Sequence, residues 1–138
     1  MNKEILDHRR IVLNDTVEYF RKYPRCVVPV KEFYNISFKK IRDIGKRPFY
    51  SGSYAGINST GCAIGRLLPD TLSAHIDAEY GEVGLSRIWH LLPEHVQELG
   101  EEFLTELSCL HDNDKWWFKS DLSQEGKEFY QEILNKFC

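Results

Sequence analysis

Apolar residues recur at helical spacing along much of the chain, and this pattern predicts a fold dominated by helices. The first such stretch predicts an amphipathic helix over about residues 2–22, which ends before Pro24. A second helix is expected over about residues 29–44, because Gly45 lies where a C-terminal cap glycine belongs. The polar side of the first helix is expected to carry its charged side chains, Arg9, Arg10, Glu18 and Arg21.

The C-terminal half continues the helical pattern in shorter pieces. Residues 85–92 predict a short helix that ends at Pro93, and an apolar stripe then runs from Val96 to Leu110. Because Gly100 interrupts this stripe, it predicts either one bent helix or two short ones. Ser123 is a candidate cap for the last helix. Residues 70–84 show little periodicity and are expected to be irregular.

A change of pattern at residues 48–56 predicts the β element of the fold. Phe49, Tyr50 and Tyr54 are combined there with serine and glycine, which is typical of a short strand and a turn. We therefore expect an α+β fold, a helix-dominated single domain over residues 1–138 with a small central β-hairpin. The 138 residues, of which 42% are hydrophobic, suffice for one core.

Charge and cysteine content narrow the location and the classes of partner. The formal net charge is -3, and a local basic patch is expected to be a solvated helix face, so general nucleic-acid binding is not expected; the patch is formed by Lys39, Lys40, Arg42, Lys46 and Arg47. No apolar run approaches the length of a membrane span, and the N-terminus is charged where a signal peptide is apolar. We expect a reduced, cytoplasmic protein, because the four cysteines are dispersed: Cys26, Cys62, Cys109 and Cys138.

The strongest chemical clue is a cysteine at the start of a short apolar segment. Gly61 permits a sharp turn, residues 62–68 predict about two helical turns, and Pro69 ends them. Cys62 would lie at the positive end of this helix, where the thiolate form is favoured. The residues just before it are candidate N-caps, Asn58, Ser59 and Thr60.

An enzymatic hypothesis combines this cysteine with a pair later in the chain. Cys62 would be the nucleophile, His111 the base and Asp112 the carboxylate that orients it, as in a cysteine-dependent hydrolase or transferase. The alternative is structural, because cysteine is often buried for packing and a His-Asp pair can close a helix. The histidine and cysteine spacings match no standard metal site, so neither a metal nor a cofactor is expected.

Two binding hypotheses use the same region. Backbone amides at a helix start bind anions, and Arg66 could add a charged fork, so the segment from Gly61 to Arg66 predicts a nucleotide-binding sponge or sensor. Trp116, Trp117 and Phe118 could stack on a base or anchor a protein partner. The plain alternative for these three rings is a role in the core or in a lid.

The run from Gly61 to Asp70 resembles a cysteine-centred motif of small uncharacterised phage and prophage proteins, in the form Cys-Ala-Ile-Gly-x-Leu-Leu-Pro-Asp. Those proteins also have a tyrosine-bearing turn before the motif, to which Tyr50 or Tyr54 would correspond, and a later helix that ends in His-Asp, as at His111 and Asp112. The resemblance covers about residues 49–118 and carries no established activity. It implies a phage-derived accessory protein that is made inside a bacterial host cell.

The leading prediction is therefore a small phage-derived protein that binds a host or defence component and inhibits or redirects it, without catalysis of its own. The two alternatives are the cysteine-dependent hydrolase or transferase and the nucleotide-binding sponge or sensor. The sequence leaves the oligomeric state open. The predicted binding residues are Tyr54, Gly61, Cys62, Arg66, His111, Asp112, Trp116 and Trp117.

Overall fold

The computed structural model of the protein describes residues 2–23, 63–80 and 85–138. Within these ranges the α-helices are α1 (Lys3–Lys22), α2 (Asp70–Glu79), α3 (Leu85–Ile88), α4 (Glu94–Gln97), α5 (Glu101–Asp112) and α6 (Gln124–Phe137). Short 3-10 helices span Gly65–Leu67, Trp89–Leu91 and Asp114–Trp116. None of the helices in the described ranges is both long enough and apolar enough to cross a bilayer.

The backbone divides into two compact units. The first unit is formed by Met1–Pro24 and Leu92–Cys138, and the second by Arg25–Leu91. The expectation of one domain over residues 1–138 stays a prediction. The predicted first helix is confirmed as α1, which begins after Asn2, whose Oδ1 accepts a hydrogen bond of 2.8 Å from the amide of Glu4.

A two-stranded antiparallel hairpin supplies the β structure of the first unit. Strand β1 (Trp117–Phe118) pairs with β2 (Asp121–Leu122) in the register Trp117 with Leu122. The expected fold class, helix-dominated with a small hairpin, is confirmed. The predicted position of the hairpin, residues 48–56, lies outside the described residues, and the hairpin at 117–122 was not predicted.

The core of the first unit is built from the apolar faces of three helices. Helix α5 contributes Phe103, Leu104, Leu107 and Leu110, all fully buried. The break at Gly100, where φ is 91°, separates α4 from α5, so the apolar stripe forms two helices rather than one bent helix. The residues that α1 and α6 add to this core include Leu13, Val17, Phe20, Ile133 and Phe137.

One charged residue predicted for the polar side of α1 lies in this core instead. The Arg9 side chain is buried, and its Nε donates a 2.7 Å hydrogen bond to the carbonyl of Leu99. Its Nη1 donates to the carbonyl of Phe137 at 3.2 Å, and the guanidinium lies 5.6 Å from the ring centroid of Phe103. The prediction was wrong because the two carbonyls and the rings of Phe103 and Phe137 replace water around the cation.

The described part of the second unit corrects two expectations. Residues 70–79 form helix α2 rather than an irregular stretch, with Ile76 fully buried and the Ser73 hydroxyl bonded to the carbonyl of Gly65 at 3.1 Å. Burial of one side thus compensates for a weak apolar period. The two turns predicted for residues 62–68 reduce to the 3-10 helix Gly65–Leu67 within the described part, because the amides of Leu67 and Leu68 bond to carbonyls three residues back and Leu68 is already extended before Pro69.

Candidate functional site

His111 lies in the last turn of α5 and is fully buried. Its Nδ1 is 2.6 Å from the Oδ1 of Asp112, and its ring meets the ring of Phe20 edge to face at a centroid distance of 4.7 Å. The carboxylate therefore fixes the orientation of the imidazole, as the orienting acid of a catalytic pair would. A partner on the surface would reach the half-buried Asp112 rather than the ring of His111.

The two tryptophans after α5 have different environments. Trp117 is 9% exposed, and its Nε1 donates a 2.8 Å hydrogen bond to the carbonyl of Leu110, at the end of α5. Trp116 is half-buried and packs on Phe129 of α6 at a centroid distance of 4.5 Å. Its Nε1 is buried and has no hydrogen-bond partner, while the ammonium of Lys115 lies 4.3 Å from its ring centroid. Trp117 is thus a core residue, whereas Trp116 lies at the edge of the core with the ammonium of Lys115 over its ring.

Hydrogen bonds at both ends fix the segment between α5 and α6. The Oδ1 of Asn113 accepts from the amide of Lys115 at 3.2 Å. The hydroxyl of Ser123 donates to the carbonyl of Lys115 at 2.7 Å and accepts from the amide of Gly126 at 3.0 Å, so it also caps α6. The segment Asp112–Leu122, which we call the corner, is therefore tied by hydrogen bonds to itself and to the start of α6.

The corner exposes an aromatic ring at the tip of the hairpin. Phe118 is 67% exposed, more than the other large apolar residues exposed in the described ranges, Ile11, Tyr23 and Tyr80. The loop that follows has two residues, and Lys119 takes a φ of 57°, which is rare for a residue other than glycine. The Lys119 ammonium lies 5.4 Å from the centroid of the Phe118 ring.

An ion pair joins this hairpin to α1. Arg21 Nε donates to Asp121 Oδ1 at 2.7 Å, and the same oxygen accepts from the amide of Leu122 at 2.7 Å. Arg21 also pairs with Glu18. The hydrogen bond from Arg21 holds the pKa of Asp121 below its usual value, and it raises the pKa of Arg21. The contact fixes the second strand against the end of α1.

The remaining predicted site residues are distributed differently. Tyr54, Gly61 and Cys62 lie outside the described residues. Arg66 is half-buried in the 3-10 helix of the second unit. The structure thus brings together four of the eight predicted residues, at the end of α5 and in the corner: His111, Asp112, Trp116 and Trp117.

Sequence reasoning missed two residues of the corner. Lys115 and Lys119 each place an ammonium over an aromatic neighbour, Trp116 and Phe118. The sequence signal for these contacts was a lysine at each end of the aromatic run, since a lysine next to an aromatic side chain is typical of cation–π pairs. In the ranges that the structure describes, no group of three or more histidine, cysteine or acidic side chains gathers in a way that would hold a metal ion.

No family model, curated protein or solved structure matches this chain. The features that bear on function are therefore those of the corner itself. Two groups of side chains in and beside the corner could act chemically. His111 and Asp112 form an oriented pair in which the ring is buried and the carboxylate is half-buried, and the exposed side chains of the corner include Phe118, Lys115 and Lys119.

Proposed function

We propose that this protein acts by binding another protein, without catalysis of its own, and that the corner is its contact surface. The observation that carries the proposal is the exposure of Phe118, 67%, at the tip of a fixed hairpin. Exposed aromatic side chains are frequent hot spots of protein interfaces, since they bury a large apolar area and lose few rotamers on binding.

The hydrogen bonds that fasten the hairpin support this proposal. A two-stranded hairpin with two residues per strand is unstable by itself. Here the indole of Trp117 bonds to the end of α5 and the carboxylate of Asp121 to Arg21 of α1, while the hydroxyl of Ser123, the cap of α6, bonds to the carbonyl of Lys115 just before the hairpin. A surface already fixed in one conformation loses less entropy on association, so it binds more tightly than a flexible surface of the same contact area.

The nature of the partner follows from the sequence motif. Because the run from Gly61 to Asp70 resembles small phage and prophage proteins, we propose that the partner is a host or defence component in the cytoplasm of an infected bacterium. Binding would inhibit or redirect that component. The predicted surface also included Tyr54, Gly61 and Cys62, which lie outside the described residues, so the support comes from the corner alone.

Co-purification from infected cells tests the proposal. The full chain carries an affinity tag, and the proteins recovered with it are compared with those recovered with Phe118→Ala. Ile11→Ala is the matched control, because Ile11 is 56% exposed on α1, away from the corner in sequence. We expect a partner that is retained by the native chain and by Ile11→Ala and is lost with Phe118→Ala. Equal recovery with all three chains would contradict the proposal.

One observation favours the cysteine-dependent hydrolase or transferase as a second candidate. The distance of 2.6 Å between His111 Nδ1 and Asp112 Oδ1 is the base-to-carboxylate contact that this chemistry requires. Cys62 would supply the nucleophile. In this case Cys62→Ser abolishes turnover of an activated ester or amide substrate, whereas a binding protein has no turnover for the substitution to remove.

A further inference from the structure

The charged groups of the corner differ in how they are engaged within the protein. Asp121 is paired with Arg21, Asp112 with His111, and Asp114 has an interaction partner of its own. Lys115 and Lys119 form no ion pair with any residue that the structure describes, and their ammonium groups lie only over aromatic rings. The charges left for an external partner are therefore the two positive ones.

The backbone of Lys119 indicates that its side chain has a use. In a two-residue hairpin loop a positive φ costs nothing for glycine, whereas for lysine it costs on the order of 1 kcal/mol. Lys119, with φ of 57°, is the only residue besides glycine that takes a positive φ within the described ranges. Such strain is found where a side chain serves function.

We propose that the corner binds a protein surface that consists of an apolar pocket bordered by carboxylates. The inference rests on the proposed function and adds the chemistry of the partner. Phe118 protrudes from the hairpin tip and fits a concavity, because 67% of it is exposed. The Lys119 ammonium lies over that ring and the Lys115 ammonium over Trp116, two residues earlier in the corner, and both would meet acidic groups at the rim of that pocket.

A nucleic acid also combines negative charge with groups that stack on aromatic rings, but the rest of the first unit opposes it. A groove of about 410 Å³ is lined by Glu101, Glu102 and Glu106 with the single cation Lys136. The chain as a whole has a formal net charge of -3. Both features repel a phosphate backbone, whereas a protein can present its carboxylates to the corner alone.

Carbodiimide cross-linking tests the proposal, since this reagent joins a lysine amine only to a carboxylate in direct contact. The tagged full chain is incubated with an extract of infected bacteria, treated with carbodiimide and analysed by peptide mass spectrometry. We expect amide cross-links from Lys119 or Lys115 to aspartate or glutamate of the recovered partner. Recovery of a partner protein that forms no such link with Lys115 or Lys119 would overturn the proposal.

Charge reversal gives the second readout. Lys119→Glu should lower the affinity for the recovered partner at least tenfold, and Lys119→Gly should lower it while the melting temperature stays the same or rises. The matched control is Lys136→Glu, because the Lys136 ammonium also lies over a phenylalanine, 5.1 Å from the ring centroid of Phe137, but outside the corner. This variant should bind as the native chain does.

The outcomes separate this inference from the proposed function. If Phe118→Ala loses the partner but Lys119→Glu and Lys119→Gly keep it, the corner is a contact surface, and the proposal that the partner has an apolar pocket bordered by carboxylates is wrong. If the recovered material is removed by nuclease, the partner class is a nucleic acid and the inference is overturned. If Phe118→Ala loses nothing, both proposals fail together.

Discussion

At the scale of single residues, Gly126 shows how closely the corner packs on α6. A Cβ at this position would lie 1.9 Å from the carbonyl oxygen of Trp116, a backbone atom that cannot move without shifting the corner. We expect Gly126→Ala to lower the free energy of unfolding by about 1–3 kcal/mol, the usual cost of overpacking. Urea denaturation measures it.

Whether Gly126→Ala raises or lowers the free energy of unfolding distinguishes helix propensity from the packing of the corner on α6. Alanine is favoured over glycine in a helix by about 1 kcal/mol, so helix propensity alone predicts that Gly126→Ala stabilises the protein. Glu125→Ala, at the adjacent exposed position of α6, is the control and should change the free energy of unfolding by less than about 0.5 kcal/mol. Stabilisation by Gly126→Ala would show that the corner does not pack on α6 as described.

Arg9 gives a second prediction at this scale. Its planar fork reaches the carbonyls of Leu99 and Phe137 together, and the compact ammonium of a lysine cannot reach both. Arg9→Lys leaves a buried acceptor without its donor, so we expect a loss of about 1–3 kcal/mol in the free energy of unfolding. Arg10→Lys is the control, because Arg10 pairs with Asp7 on the surface and should cost about 0.5 kcal/mol or less. Equal losses would contradict the buried role of Arg9.

At the scale of elements, the pair of Arg21 and Asp121 connects α1 to β2, and it predicts a dependence of stability on pH. The pKa of Asp121 is lowered in the folded protein from its ordinary value of 3.8, chiefly by the hydrogen bond from Arg21. The contribution to stability is therefore complete above that value and is lost as the pH falls through the folded pKa. Because both side chains are largely exposed, it amounts to about 1 kcal/mol or less.

Urea titrations at several pH values measure this contribution through Asp121→Asn, which keeps the size of the side chain and its acceptor for the amide of Leu122. We expect the native chain to be the more stable at pH 6, and the difference to shrink as the pH falls below 3.8 and through the lowered pKa of the folded state. Arg21→Gln should reduce the difference, since the pair is then broken in both and only the amide of Leu122 and the charge of Lys127 still favour the carboxylate. A difference that persists at low pH would show that Asp121 acts through packing rather than charge.

The elements also show how much of the fold could be predicted from sequence. Helix α1 and the break at Gly100 follow from local signals, apolar period and a cap or breaker, and both agree with the structure. The hairpin at residues 117–122 could not be found this way, because two residues per strand are too few for alternation and Lys119 replaces the expected turn glycine. Arg9 was misplaced because its partners are 90 and 128 residues away in sequence.

The candidate site could be predicted only in part, for a similar reason. The run of aromatic residues after His111 and Asp112 located the corner, since rings next to a polar helix end are conspicuous in sequence. Which ring is exposed depends on the hairpin register, in which Phe118 pairs with Asp121 and Trp117 with Leu122. The register turns Trp117 inward and Phe118 outward.

At the scale of the whole molecule, the alkylation rates of the cysteine thiols distinguish a binding protein from a cysteine-dependent hydrolase or transferase. Cys109 is exposed and Cys138 is half-buried, and burial raises the pKa of the Cys138 thiol. Alkylation proceeds through the thiolate. Iodoacetamide at pH 7.5 should therefore modify Cys109 several-fold faster than Cys138, and the rate for Cys138 should rise at higher pH. A time course followed by peptide mass spectrometry measures both rates.

Cys62 then decides between binding and catalysis in the same experiment. A protein that acts only by binding has no need of an activated thiol, so we expect Cys62 to react no faster than Cys109. A nucleophile oriented toward an imidazole is ionised near neutral pH and would react first. Unfolding in urea supplies the control, because all four cysteines should then react at similar rates. Preferential modification of Cys62 in the folded protein, abolished by His111→Ala, would favour the hydrolase or transferase over the binding protein.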